Sequence, residues 1–382
     1  MNAVELGEIC ELRNGRAFKP EEWSDSGTPI VRIQNLNDES KPFNYCAFDV
    51  PERFRVESGD LLFSWSGTPG TSFGAFFWTR GRGFLNQHIF RVDVDGSRVD
   101  QSYLRYALNS LLDQIVGQSH GGVGLKHITK GKLEAVKIPL PPLPEQRRIA
   151  AILDKADALR AKRREAIAKC DQLLQSVFLD MFGDPVTNPK GWPVKPLGEL
   201  GTLDRGKSKH RPRNDPALLG GSHPLIQTGD VANSGGYIRS FASTYSDLGL
   251  QQSRKWPVGT LCITIAANIA NTGILTFEAC FPDSVVGFAP NSSSTTEYVQ
   301  QLMGFLKIML EEKAPQVAQK NINLAILRNL PVPMPPIADQ KRFSQFVAQM
   351  ERQKLNQRSQ SHRYGDLFSS LQQRAFSGQL IA

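Results

Sequence analysis

The sequence predicts an α+β protein: two pseudo-symmetric mixed α/β domains separated by a long antiparallel two-helix coiled coil. Three observations lead there. The second half of the chain repeats the first, each half begins with short β-type runs, and each half closes with a proline-rich segment followed by a long helical stretch.

The repeat comes first because it decides the architecture. Lys126 to Phe182 aligns with Lys320 to Phe376 without a gap, at a constant shift of 194 positions. Ile138-Pro-Leu-Pro-Pro-Leu-Pro-Glu-Gln-Arg-Arg148 thus faces Val332-Pro-Met-Pro-Pro-Ile-Ala-Asp-Gln-Lys-Arg342. Upstream the shift drifts by a few residues, as loops of unequal length require: Leu6-Gly7-Glu8 matches Leu197-Gly198-Glu199, Gln34 matches Gln227, and Gly59-Asp-Leu61 matches Gly259-Thr-Leu261. One unit is used twice.

Within each unit the first part carries β-type runs such as Pro29 to Ile33, Asp60 to Phe63 and His88 to Val94, separated by Gly, Pro, Asn and Ser, which suits a mixed α/β globule. A helix is expected at Gln101 to Leu112, matched by Glu297 to Leu310. The proline segment after it excludes an internal helix, because proline lacks an amide donor and restricts the residue before it. From Glu145 to Phe182 neither Pro nor Gly occurs. These residues predict a rod of roughly 57 Å at about 1.5 Å per residue. The expected boundaries are 1–144 and 185–338 for the two domains, with helices over 145–184 and 339–382.

Heptad spacing selects a seam of Ile149, Ile152, Ala156, Leu159, Arg163, Ala166, Cys170, Leu173 and Val177 in the first helix,. The same shift gives Phe343, Phe346, Met350, Gln353, Gln357, Gln360, Tyr364, Leu367 and Leu371 in the second, apolar at both ends and polar in the middle. Antiparallel pairing sets Arg163 near Gln357 and lets the apolar ends cover one another. The alternative is that each helix covers only its own domain.

The chain has 382 residues, is 40% hydrophobic and carries a formal charge of +8. That composition fits a folded protein, and its basic excess fits a polyanionic partner. Residues 1–190 hold 25 Lys+Arg against 24 Asp+Glu, whereas residues 191–382 hold 20 against 13, so the excess sits in the second half. Five scattered cysteines form no CxxC pair, which suggests neither zinc nor a disulfide framework and fits a reducing compartment,. With no signal-peptide pattern and no long apolar span, a cytoplasmic location without a membrane partner is expected.

Gly201-Thr-Leu-Asp-Arg-Gly-Lys207-Ser208 matches the phosphate-binding pattern GxxxxGK[ST]. Such a loop needs a helix after it, whose amides cradle phosphate. Here Pro212 and Pro216 stand where that helix belongs, and the repeat-related Cys10 to Ala17 lacks the pattern. An NTP site is not expected. Both copies keep glycine followed by a cation, Gly15-Arg16 and Gly206-Lys207, read either as a phosphate contact or as a solvated surface cation. Arg205, Lys207, Lys209, Arg211 and Arg213 put five cations in nine residues, with His210 among them. That density favours an anionic partner. Asn86-Gln87-His88 and His120 supply groups that could reach base edges or simply serve the fold, and Ser64, Trp65 and Ser66 lie in a run that could equally be a turn. No cofactor loop, base-methylation signature, HExxH or serine elbow occurs,, so catalysis within the chain is not expected.

The order Leu6-Gly7-Glu8, Arg13 to Phe18, Ile33 to Leu36, Gly59 to Gly70, Leu85 to Ile89 and Ile138 to Gln146, followed by a long helix and then repeated, resembles the specificity subunit of type I restriction-modification enzymes. Phe182-Gly-Asp-Pro185 and Gly191-Trp-Pro193 mark the junction, and the likeness covers nearly the whole chain. The second copy departs from the pattern at Phe281 to Phe288 and at Ile265 to Asn268. The resemblance implies two DNA-recognition domains, each reading half of a split sequence in double-stranded DNA. It also implies helices that set the gap and dock two methyltransferase subunits. S-adenosylmethionine, ATP and magnesium belong in that picture to the partner methyltransferase and restriction-translocase subunits, with no cofactor or metal in this chain. The candidate DNA-contacting residues are Arg13, Asn14, Arg16, Lys19, Gln34, Asn35, Ser64, Ser66, Gln87, His88, His120 and Lys126 in the first copy. In the second they are Arg205, Lys207, Lys209, Arg211, Arg213, Gln227, Asn268 and Lys320. A specificity subunit of a type IIB-like enzyme, with nuclease and methyltransferase fused, and a coiled-coil scaffold binding only protein remain the alternatives.

Overall fold

A computed structural model of the chain describes residues 2–67, 72–117, 126–210, 212–266, 269–313 and 322–380. The chain divides into two compact units, residues 1–164 with 359–382, and residues 165–358. Each unit is therefore built from its own globular segment plus halves of two long helices, Leu143–Phe182 and Ile337–Phe376.

Unit 1 holds a four-stranded antiparallel sheet in the order Cys10–Asn14, Ile89–Val94, Leu61–Ser64, Gly74–Phe77. A second sheet runs Asn44–Cys46, Thr28–Val31, Gly83–Leu85, Arg55–Val56, with the middle two strands parallel. Unit 2 repeats both orders. Its larger sheet is Gly201–Arg205, Val285–Pro290, Leu261–Thr264, Thr272–Leu275, extended by Gly236–Ile238, and its smaller one is Ser243–Tyr245, Leu219–Leu225, Ala279–Cys280, Lys255–Trp256. In each unit the strand entering the domain pairs with the strand leaving it, Ala3–Glu5 with Lys137–Pro139 and Val194–Pro196 with Pro331–Pro333. The β-type runs at Pro29 to Ile33, Asp60 to Phe63 and His88 to Val94 land within a residue or two of these elements. The expected helices appear as Gln101–Ser110 followed by Leu112–Gly117, and as Thr296–Lys313.

The long helices begin at Leu143 and Ile337, two residues before the expected starts at Glu145 and Asp339. Pro144 sits in the first turn, where no intrahelical amide donor is needed. Behind each start lies the same lock. Gln146, fully buried, accepts from Asp100 N at 2.8 Å and donates to the carbonyls of Arg98 (3.0 Å) and Pro141 (2.8 Å). Gln340 does the same with Thr295 N (3.1 Å), Ser293 (3.1 Å) and Pro335 (2.9 Å). Beside it the hydroxyls of Tyr103 and Tyr298 donate to Pro139 and Pro333, both at 2.7 Å.

Within each unit the two helix halves run antiparallel. In unit 1 Arg160 stacks on Phe368 and Arg163 on Tyr364, while in unit 2 Phe178 and Phe182 meet Phe343, and Asp171 pairs with Lys354 at 2.8 Å. The seam itself differs from the heptad reading. Ile149, Ala156 and Phe343 are buried as expected, and Ile152, Arg163, Ala166, Cys170, Val177, Phe346, Met350, Gln357, Tyr364 and Leu371 are half-buried. Leu159, Leu173 and Leu367 are exposed at 41%, 46% and 47%, and Gln353 and Gln360 are exposed too. Where the predicted seam is exposed, the position one residue further on is buried or half-buried: Arg160 and Leu174 in one helix, Lys354, Ser361 and Phe368 in the other. The cause is that each helix packs against its own domain as well as its partner. This rotates the covered face from Ile152 (half-buried) toward Leu153 (buried), and from Leu173 toward Leu174,. Leu153 joins the core of unit 1 with Leu104 and Val136, and Leu174 that of unit 2 with Phe178 and Leu306.

The polar middle of the second helix is partly buried in unit 2. Lys354, 3% exposed, pairs with Glu351 and Asp171, and Arg239 reaches Glu351 at 2.8 Å. Buried charges are tolerated because each has an opposite partner.

Candidate nucleic-acid interface

Several cations named as candidate DNA contacts are occupied within the fold. Arg13, on an outer strand, pairs with Asp93 at 2.8 Å and Glu11 at 3.0 Å. Arg16 pairs with Glu22 and lies between the rings of Phe18 and Phe48, 4.8 Å from each centroid. The glycines before the shared cations have a structural cause: a Cβ at Gly15 would come within 2.1 Å of Asn86 O, and one at Gly206 within 2.2 Å of Phe281 O. The pairing of strands, rather than a phosphate cradle, requires glycine there. After the strand Gly201–Arg205 no helix opens among the described residues before the short turn at Pro216–Leu218, so the phosphate-loop pattern lacks its helix.

Asn35, Ser64 and Ser66 depart from the expectation of DNA contact. Asn35 is 2% exposed; its Oδ1 accepts from Arg32 N and its Nδ2 donates to the carbonyls of Lys41 and Pro42. Its hydrogen bonds shape the loop. Ser64 is buried and donates to Ser66 O, and Ser66, 6% exposed, lies in a two-residue strand paired with His127. Asn14, Lys19, Gln34, Gln87 and Gln227 are exposed, as a surface contact requires. Lys126 pairs through its backbone with Gly67. His120, Arg211, Asn268 and Lys320 lie outside the described residues.

In unit 2 the basic run is on the surface. Lys207 and Lys209 are exposed and have no ion-pair partner among the described residues. Arg205 donates through Nε to Asp283 O, and Arg213 pairs with the Asp283 carboxylate. His210 pairs with Asp215 at 3.0 Å, and the Ala217 amide and His210 hold that carboxyl below its ordinary range. Arg254, which sequence reasoning passed over, pairs with Asp204 and stacks 4.1 Å above Trp256. Exposed lysines without partners beside clamped arginines form an electropositive edge suited to a polyanion.

Unit 1 offers a different cluster. Trp65, His88 and His127 meet, with ring centroids 5.1 Å (Trp65–His88), 6.2 Å (Trp65–His127) and 6.5 Å (His88–His127) apart. Burial, then the nearby His127, pushes the His88 imidazole below its usual pKa, so it is neutral near pH 7. His88 was legible as a candidate; His127 was not, because only the short strand Lys126–His127 brings it back to Ser66 and Gly67.

Each unit also carries an apolar cavity beside its proline turn. One, of about 510 Å³, is lined by Asn2, Leu140, Pro141 and Pro142 among others. The other, of about 420 Å³, is lined by Pro193, Met334, Pro335 and Pro336, the repeat equivalents of those residues. Among the described residues no group of His, Cys, Asp and Glu could hold a metal, and no helix is long and apolar enough to cross a membrane.

Comparison with known proteins agrees with this duplicated plan. The chain is 24% identical to the type I restriction enzyme EcoBI specificity subunit of Escherichia coli, over 99% of this chain and 86% of that one. It is 22% identical to the putative type I restriction enzyme MjaX specificity subunit of Methanocaldococcus jannaschii, over 88% and 83%. Its fold is similar to the S subunit of the type I restriction-modification system from M. genitalium, with a TM-score of 0.59 at 14% identity over 98% of this chain and 96% of that one. It is also similar to a chain from a structure describing complex assembly and conformational transition of the type I R-M system, with a TM-score of 0.53 at 19% identity over 99% and 98%. The family model described as type I restriction modification DNA specificity domain matches residues 1–169 and again 189–361; the chain belongs to that family and contains its domain twice.

Proposed function

We propose that this chain is the DNA-reading subunit of a type I restriction-modification complex and recognises a split sequence, one half-site per unit. The observation that carries the reading is the duplication itself. Two units with the same strand orders present different side chains, an aromatic and imidazole cluster at Trp65, His88 and His127 in one and a lysine-bearing edge at Lys207 and Lys209 in the other. A repeated scaffold with divergent surfaces suits two related readers of different sequences. Phosphate contacts by Lys207 and Lys209 would hold register and supply salt-sensitive affinity.

In this reading the chain is not itself an enzyme. Methyl transfer with S-adenosylmethionine, and ATP- and magnesium-dependent translocation and cleavage, belong to partner subunits. Two methyltransferase subunits dock on it, a stoichiometry supported by the matched apolar cavities at Leu140 and Met334. The long helices, each passing from one unit into the other, act as the spacer between half-sites. The test is methylation mapping of DNA modified by the chain with its cognate methyltransferase. A bipartite motif with a fixed gap is the expected result; an uninterrupted motif, or methylation without sequence preference, would overturn the proposal.

A further inference from the structure

We infer that Trp65 and His88 read the N7 edge of one purine in the half-site taken by unit 1. The inference rests on the DNA-recognition reading above and assigns it a pair of residues. The two units share their backbone at this point. Trp65 N donates to His88 O at 3.2 Å, as Ile265 N donates to Ser284 O at 3.0 Å. Ile128 N donates to Trp65 O at 3.2 Å, as Ile322 N donates to Ile265 O at 3.0 Å. Ile265 and Ser284 therefore occupy the places of Trp65 and His88. On one scaffold, unit 2 presents an aliphatic side chain and a small hydroxyl, and unit 1 presents two polar rings.

Packing alone does not account for the rings. Among the described residues Trp65 Nε1 and His88 Nδ1 are both buried without a hydrogen-bond partner, whereas the large majority of buried side-chain polar atoms in folded proteins are paired. An isoleucine fills the equivalent site with no such cost. The orphaned nitrogens lie in adjoining rings, 5.1 Å between centroids, and both residues are only half-buried. Recognition then requires a turn of each ring that brings its nitrogen to the surface.

The chemistry of the pair selects the ligand. The indole nitrogen only donates, so its partner is an acceptor, and imidazole donates or accepts according to tautomer. In the major groove every purine presents N7 as acceptor beside either O6, an acceptor, or N6–H, a donor. Trp65 meets N7, and His88 adapts to the neighbouring substituent. A neutral imidazole next to His127 suits a base edge better than a phosphate, which would favour the charged form.

The test is selection from a randomised duplex library by the full chain with its methyltransferase, comparing the native protein with Trp65→Phe. Phenylalanine keeps a ring against Phe90, whose centroid lies 5.8 Å from that of Trp65, and removes the donor together with part of the ring volume. The variant should select the same second half-site and become indifferent at one purine of the other, with affinity for the native duplex falling roughly ten- to hundredfold. Replacing that purine by its 7-deaza analogue should weaken the native protein by a similar factor and leave Trp65→Phe unaffected. His88→Asn, with thermal unfolding as a check on folding, should relax the same position. An unchanged motif, a Trp65→Phe variant that is still weakened by the 7-deaza substitution, or a uniform loss across sequences with a shallower salt dependence overturns the inference while leaving DNA recognition intact. If the native protein selects no motif at all, the recognition reading fails and this assignment falls with it.

Discussion

Leucine in place of Gln146 would strip three hydrogen bonds from a side chain fully removed from water. The carbonyl of Pro141 is the buried partner, and the Asp100 amide and Arg98 carbonyl are partly buried. A buried group left unsatisfied costs about 1–3 kcal/mol, and a bond whose partner regains water costs about 1 kcal/mol or less. The sum is about 3 kcal/mol, equivalent to roughly 150-fold in the unfolding equilibrium at about 1.4 kcal/mol per decade. Native-state hydrogen exchange is the assay, because unfolding of a two-unit chain is not described by one free energy. Strand amides such as Leu62 and Phe63, in the unit 1 sheet beside the core, should exchange roughly 150-fold faster in Gln146→Leu, and Gln340→Leu should do the same for the unit 2 strand Leu261–Thr264. An acceleration below about fivefold would refute the argument that this glutamine ties helix, proline turn and domain together.

Four further outcomes follow from the same reasoning. Leu174→Ala, at 7% exposure, should destabilise by about 2–4 kcal/mol,, while Leu173→Ala should stay within about 0.5 kcal/mol; equal losses of thermal stability would restore the heptad seam. Because the folded His88 pKa is lowered, the unfolded chain binds more protons, and stability falls as the pH drops through the imidazole value of about 6.5. His88→Asn should flatten that decline in acid unfolding curves, and an unchanged slope would show that His88 does not carry it. Lys207→Ala should weaken binding to all duplexes alike and make the log–log salt dependence shallower by about one; a changed base preference would reassign that residue. Seven residues added to both long helices, after Arg164 and Arg358, should widen the gap by about three base pairs, from about 1.5 Å per residue and about 3.4 Å per pair, without changing the half-sites. An active variant with unchanged spacing in methylation mapping would sink the spacer role.

The sequence by itself determined the architecture, because its strongest signals are local or repeated. Proline excludes helix at 139–142, an uninterrupted run free of Pro and Gly makes one after it, and the repeat, gapless from Lys126 to Phe182 and drifting by a few residues upstream, makes the elements of one unit a forecast for the other,. The paired glutamines 146 and 340 were visible in that repeat, though their hydrogen bonds were not. Tertiary structure alone decided which face of each helix is covered. Ile152 and Leu153, or Leu173 and Leu174, are adjacent apolar residues, so periodicity admits both, and the choice belongs to the domain packed alongside,. Tertiary structure also decided which polar groups are free. Arg13, Arg16 and Asn35 find partners up to 80 positions away, and His127 reaches Trp65 and His88 across a long stretch of chain. A side chain's type states what it can bond, but only the folded chain settles whether that bond has already been made.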